Sequence, residues 1–367
     1  DAVFDSRKKS LYAEVKVPKV SYAGSSIDSL NVLLNGDAND LNFSAGLGNL
    51  TYEPIHLKRT YLEGKLRNRE LLLDFNAEND SVRVAHLSSQ LVFQKDTVRL
   101  HIDPEELILN KKQWELPNDN SIVIAESYLG LQNLILSRNS QSLRLSTELS
   151  RIEQQHIGIV FENFELQTFL SLFNPDEALA KGRVEGDFVL LNPYGASGLI
   201  SDIEISNFQV MENPLGTLTL DASSKSFSDY DFDLALKDGD ANLKLTGDYV
   251  AKESGAELNL ELDIQELKTS VIQGFFKEEI SNATGYLSGS MLVNGTLSNP
   301  TYSGRINFND TGLTLTSFNT RLNIANETLD LDQEKISLSD FNIKDETKGS
   351  LVVDGTILTP SFLNPTF

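Results

Sequence analysis

Cysteine is absent from the chain, so disulfides, thiolate nucleophiles and cysteine-based zinc or iron–sulfur sites are all excluded. A cysteine-free composition is common where a stray thiol can mispair in an oxidising space, and it favours the bacterial periplasm. Tryptophan occurs once, methionine twice and histidine four times. No stretch reaches the roughly 18 consecutive apolar residues of a membrane helix, and residues 1–20 carry no signal-peptide core. Basic residues are scarce: 31 Lys and Arg stand against 53 Asp and Glu, a net charge of −22. Such a chain repels phosphate backbones and anionic headgroups, so nucleic acid is not an expected partner. The charges are dispersed rather than run together, as on a solvated outer face.

What is present is period-two alternation. In Leu218-Thr219-Leu220, Phe232-Asp233-Leu234-Ala235-Leu236 and Asn242-Leu243-Lys244-Leu245, apolar and polar residues swap at every step, which places one kind on each face of a strand. The pattern continues through 257–264, Leu313-Thr314-Leu315, Leu329-Asp330-Leu331, Ile336-Ser337-Leu338 and Leu351-Val352-Val353. In the first 150 residues it recurs at Tyr12–Val17, Leu71–Phe75 and Val98–Ile102. Asp238-Gly239, Asn294-Gly295 and Asp354-Gly355 read as tight hairpin turns, so pairing is expected to be local and antiparallel. Only Leu166–Phe173, before Asn174-Pro175, and Leu267–Phe276 have helical spacing. An apolar share of 40% suffices for an extensive buried surface, so the chain is expected to fold.

The chain repeats itself. Phe173, Ala180, Gly182 and Gly186 recur as Phe276, Ala283, Gly285 and Gly289, each 103 residues later. Apolar strands and a proline, Pro193 or Pro300, follow in both copies. A repeated unit that cannot bury its own face is expected to stack on its neighbours.

Candidate chemistry is sparse. His56, His86, His101 and His156 lie far apart, and neither a phosphate-binding glycine loop nor a nucleophile elbow occurs. Asp229, Asp231 and Asp233 would share one strand face, but the glycine and flanking helices of a calcium loop are missing. Asn282-Ala283-Thr284 and Asn326-Glu327-Thr328 are glycosylation-type strings that read as turn and strand polar residues. No catalytic residue, metal or cofactor is expected, and the chain is read as a binding protein rather than an enzyme.

An apolar sheet face must be covered by a second sheet, by closure, by a partner or by apolar ligands. The expectation is an all-β, elongated, mostly antiparallel and partly open groove with one or two short helices, a packed solenoid core being the alternative. Leu243, Leu245, Leu258, Leu260, Leu262, Leu313, Leu315, Leu351 and Val353 are the candidate groove residues.

Gly285-Tyr286-Leu287-Ser288-Gly289, and then 293–306 with Asn294-Gly295-Thr296-Leu297-Ser298-Asn299-Pro300, resemble the TamB family of AsmA-like envelope proteins. Asn319-Thr320, Phe341-Asn342-Ile343, Asp345 with Gly349, and Val353-Asp354-Gly355-Thr356-Ile357 are similar to its carboxy-terminal region, in the style of Bacteroidetes-type bacteria. The resemblance covers about 160–367 and is compositional before that. It implies a tapering, open β-groove (a β-taco) with an apolar interior, in a periplasmic protein anchored in the inner membrane. It also implies docking onto an Omp85-type, TamA-like outer-membrane barrel, with roles in phospholipid transport and outer-membrane protein assembly. Phospholipid acyl chains are the implied cargo. Set against the family, the chain lacks the anchoring helix and the part beyond Phe367, and reads as a fragment. With the repeat, this divides it into 1–155, a TamB-like sheet segment, and two β-repeats, 156–260 and 261–367. The rival expectations are a scaffold that pairs client strands by β-augmentation without conducting lipid, and an adhesin-like structural solenoid.

Overall fold

A computed structural model of the chain describes residues 2–358 apart from 6, 8, 23–24, 38, 53–54, 80, 174–177, 196, 227, 253–254, 297–298, 334 and 347–348. It is nearly all strand, antiparallel and open, with two short helices, as the alternation predicts. Among the described residues no helix is long and apolar enough to cross a membrane. Two compact units, residues 1–185 and 186–367, are distinguished and are taken in turn.

In the first unit, β1 (Ala2–Asp5), β2 (Ser10–Tyr22), β3 (Ser25–Asp37), β4 (Asp40–Tyr52), β5 (Ile55–Arg67), β6 (Glu70–Asn79), β7 (Val82–Phe93) and β8 (Thr97–Ile102) pair antiparallel in sequence order. The small hairpin of β9 (Ile108–Leu109) and β10 (Lys112–Gln113) leans on β7, and β11 (Ser121–Ala125) and β12 (Tyr128–Gln132) complete the sheet. A second meander of β13 (Leu134–Arg138), β14 (Gln141–Ser146) and β15 (His156–Glu165) leads to α1 (Gln167–Phe173). The two largest fully buried side chains of this unit are aromatic. Trp114 and Phe164, each 1% exposed, stack at 5.6 Å, with Phe169 of α1 5.1 Å from Phe164. The indole N–H donates to the Leu109 carbonyl at 3.3 Å, which satisfies the one polar atom this packing would strand.

The boundary between the units falls within β16 (Ala180–Leu191). The second unit then runs through β17 (Gly198–Val210), β18 (Asn213–Ser226), β19 (Asp229–Lys237), β20 (Ala241–Lys252), β21 (Gly255–Lys268), α2 (Thr269–Phe275), β22 (Ile280–Thr296) and β23 (Asn299–Leu315). β24 (Thr320–Ile324) and β25 (Glu327–Gln333) share the length of β23, and β26 (Lys335–Asp345) pairs with both and with β27 (Ser350–Leu358). Val271 of α2 packs with Leu215 and Ala241, flanked by Phe208, Val210, Leu236, Leu243 and Leu267.

The expected turns need correction. Asp238-Gly239 does connect β19 and β20, with Asp238 at φ +61. Asn294-Gly295 and Asp354-Gly355 instead lie inside β22 and β27. Gly295 takes φ +105 one residue before the end of β22, paired with Leu258 and Pro300 in an uninterrupted register, so the turn lies beyond it.

The strands do not alternate without interruption. One extra residue on β17 breaks the register between Ile205 and Phe208, where Asn207 sits at φ +51. Asp310 (φ +47) in β23 and Asp340 (φ +52) in β26 stand at equivalent breaks. Each bulge resets the phase, so the apolar residues of one face change between odd and even numbers across it, as from Ile205 to Phe208 and from Ile306 to Leu313. Asn and Asp tolerate this left-handed conformation better than other residues with a side chain. The 103-residue repeat carries the device. A Cβ on Gly186 would lie 2.0 Å from the Asp202 carbonyl oxygen, and one on Gly289 would lie 2.0 Å from that of Arg305. Asp202 and Arg305, like Asn207 and Asp310, are themselves 103 residues apart.

Candidate functional site: a continuous apolar sheet face

Directly opposed residues on antiparallel strands project from the same face, so the registers define that face row by row. One row of the second unit runs Ile203, Leu220, Leu234, Leu245, Leu262, Met291, Gly304, Leu331, Ile336 and Ile357 from β17 to β27. A parallel row runs Ile205, Leu218, Leu236, Leu243, Ile264, Gly289, Ile306 and Leu329. Nearer the other strand ends, Tyr230 and Tyr249 meet edge to face at 5.7 Å, with Leu258 opposite Tyr249. The alternate positions are mostly polar: Asp202, Asp221, Asp233, Thr246 and Glu261 form the row behind. There Lys244 pairs with Asp233 at 2.6 Å and Arg305 with Asp330 at 2.8 Å. Both pairs are solvent-exposed and contribute little to stability.

The cover over this face is uneven. Beneath α2 it is sealed, with Val271 at 5% and Ala241 at 1% exposure. Away from α2, Leu220, Leu234, Leu245, Leu260 and Leu262 are half-buried. α2 therefore closes the face at one place, Tyr302, Ile324 and Phe341 are buried at 4%, 8% and 3% exposure elsewhere on it, and the stretch around Leu220, Leu234, Leu245, Leu260 and Leu262 is partly open.

Of the predicted residues, Leu243, Leu245, Leu258, Leu260 and Leu262 fall together on β20 and β21, and Leu243 also touches the α2 cluster. Leu313 and Leu315 join the same face only because the Asp310 bulge resets the phase of β23, where they oppose Leu322 and Ile280. Leu351 and Val353 lie on β27 opposite Ile343 and Phe341, and Leu351 is 58% exposed. Sequence reasoning missed Met291, Tyr302 and the tyrosine pair, and did not assign the helices a covering role. The available signal was Ile205-Ser206-Asn207-Phe208 and Leu338-Ser339-Asp340-Phe341, an apolar, polar, Asx, Phe string at two of the three bulges.

The first unit repeats the arrangement. Leu41, Leu66, Leu71, Leu91, Leu100, Ile122 and Leu131 form a row across β4 to β12, and the Phe43 ring occupies the space that a side chain on Gly64 would need. On the opposite face, beside a cavity of about 870 Å³, lies a polar cluster. Ser88 donates to Asp74 at 2.6 Å, His86 Nε2 lies 3.0 Å from the same oxygen, and Asn76 donates to the other at 2.9 Å. Burial pushes the Asp74 carboxyl up, but the bonds from Ser88 and His86 outweigh it and hold the group below the ordinary aspartate range. The carboxylate is central, so Ser88 has no histidine base to take its proton, and the cluster is not a nucleophilic triad.

His101 contacts the Asn120 carbonyl at 2.9 Å. His156 accepts the Leu149 N–H at Nε2 and so donates from Nδ1 to Gln154. The side chain of His56 lies outside the described ones. The aspartates at 229, 231 and 233 line the polar face of β19, and among the described residues no group of His, Cys, Asp and Glu could hold a metal ion. Comparison with known proteins finds no matching family model, no matching curated protein and no matching solved structure.

Proposed function

We propose that the chain is a periplasmic segment of a TamB-like envelope protein. It binds the acyl chains of phospholipids along its apolar face while they pass towards the outer membrane, and it acts by burial without a chemical step. The observation that supports this is the row from Ile203 to Ile357, apolar but for Gly304 and half-buried along its whole length. Each methylene taken from water there is worth about 0.8 kcal/mol, so even a partly covered acyl chain is held reversibly. The inner-membrane anchor and the TamA-like barrel belong to this proposal through the family resemblance alone. Native mass spectrometry after mild extraction tests it: co-purifying phospholipid is expected, lost on Leu245→Glu. A lipid-free protein with a dry interior refutes it. The second reading, augmentation by a client strand, is favoured by β27, which among the described residues pairs only with β26 and exposes Leu351 and Val352. Prolines along its outer edge would abolish client crosslinks and spare lipid.

A further inference from the structure

Between β12, the last strand of the first sheet, and β13, only Asn133 intervenes, at φ +50, and the two strands part around a cleft of about 620 Å³. Residues of both faces line it. Leu131, Leu134 and Leu145 come from apolar rows, while Arg99 and Arg144 come from alternate strand positions.

The two arginines line one cleft, and among the described residues neither is paired. Acidic residues outnumber basic ones 53 to 31, and Arg59, Arg67, Arg83, Arg305 and Arg321 each hold a carboxylate. Among the described residues Arg99 and Arg144 hold none, although Glu148 lines the same cleft. Two guanidinium groups without carboxylates, in one cleft of a protein whose overall field repels anions, make a local site where a fork-shaped donor can meet a phosphate bidentately. The Tyr128 hydroxyl, folded back over Gly130, adds a neutral donor to the same cleft.

We infer that this cleft binds the phosphate headgroup of an anionic amphiphile. Arg99 and Arg144 hold the phosphate, and the half-buried Leu131 and Leu145 receive the first methylenes of the chains. The apolar half rests on the reading of the apolar face as an acyl surface, whereas the anion-binding half stands without it.

The test titrates the full chain with dihexanoyl phosphatidylglycerol below its micelle concentration, with inorganic phosphate and with octyl glucoside. The phosphatidylglycerol should bind at least about tenfold more tightly than phosphate, because only it reaches the leucines. R99Q/R144Q should weaken both phosphate-bearing probes roughly tenfold or more, with Trp114 emission unchanged as a check on folding. E148Q should tighten both, by relieving repulsion. Wild-type affinity for the anionic lipid in R99Q/R144Q overturns the inference. Equal binding of phosphate and lipid overturns its amphiphile half and leaves a free-anion site. If the acyl reading alone is wrong, the protein purifies lipid-free while R99Q/R144Q still loses phosphate. If the cleft alone is wrong, lipid co-purifies and is lost on Leu245→Glu.

Discussion

Replacing Leu245 with Glu distinguishes an open face from a packed core. Leu245 is half-buried on β20 between Leu234 and Leu262. Full burial of a leucine side chain is worth about 1.5–3 kcal/mol, so losing a half-buried one costs about 1 kcal/mol. On an open face the new carboxylate keeps its water. Hydrogen exchange of β19 to β21 should then accelerate by only about fivefold, the factor for 1 kcal/mol, while bound phospholipid disappears. Val271→Glu supplies the contrast, for Val271 is 5% exposed between α2 and the sheet. There the charge has no partner and little water, at a cost of several kcal/mol. Exchange in α2 and β18 should rise by more than about a hundredfold. Exchange–mass spectrometry reads both variants locally, which suits a two-unit chain with no single unfolding free energy. If Leu245→Glu opened its strands as widely as Val271→Glu opens α2, the face at 245 would be a core, and the groove reading would fall.

The repeat makes a matched prediction about glycine. Gly186→Ala and Gly289→Ala should each destabilise by at least about 2 kcal/mol, since both take positive φ and would drive a Cβ into a neighbouring carbonyl. Gly355→Ala, with nothing within 4 Å of its Cβ, should be neutral or stabilise by about 0.4–1 kcal/mol; urea midpoints decide both cases. Asp74 predicts an acid response. Its folded pKa is lowered, so its contribution to stability is full above the ordinary aspartate value of 3.8 and is lost as the pH falls from there through the folded value. The single tryptophan reports the first unit, and its urea midpoint should drop over that acid window in the wild type and less steeply in Asp74→Asn. An identical acid slope in the two proteins would exclude Asp74 as the cause.

Much of this architecture was legible because alternation is a local code. Leu218–Leu220, Phe232–Leu236 and Asn242–Leu245 each state their own strand and their own inner face. The helices at 167–173 and 269–275 were visible for the same reason, from a change of period. What could not be read were features that depend on a partner. Trp114 reads as a lone aromatic until β15 and α1 bring Phe164 and Phe169 to it. Asn294-Gly295 has turn chemistry, and only the pairing with Pro300 shows that its strand continues. Leu313 lies out of phase with Ile306 in a strict period of two, and the one-residue insertion at Asp310 restores it. Arg99 and Arg144, 45 positions apart in sequence, become neighbours of one cleft only through the passage from β12 to β13.

Strand order equal to chain order has a kinetic consequence. From β1 to β8, and again from β17 to β23, each strand finds its partner in the segment made just before it, across a short connection. Loop closure is then cheap at nearly every step, and few strands wait for a later partner, as β7 does for β9, β8 for β11 and β23 for β25. A polypeptide threaded amino end first through a narrow pore can thus lock hairpin by hairpin on the far side. Every completed hairpin is too wide to slide back, so folding itself becomes a ratchet that draws the rest of the chain across.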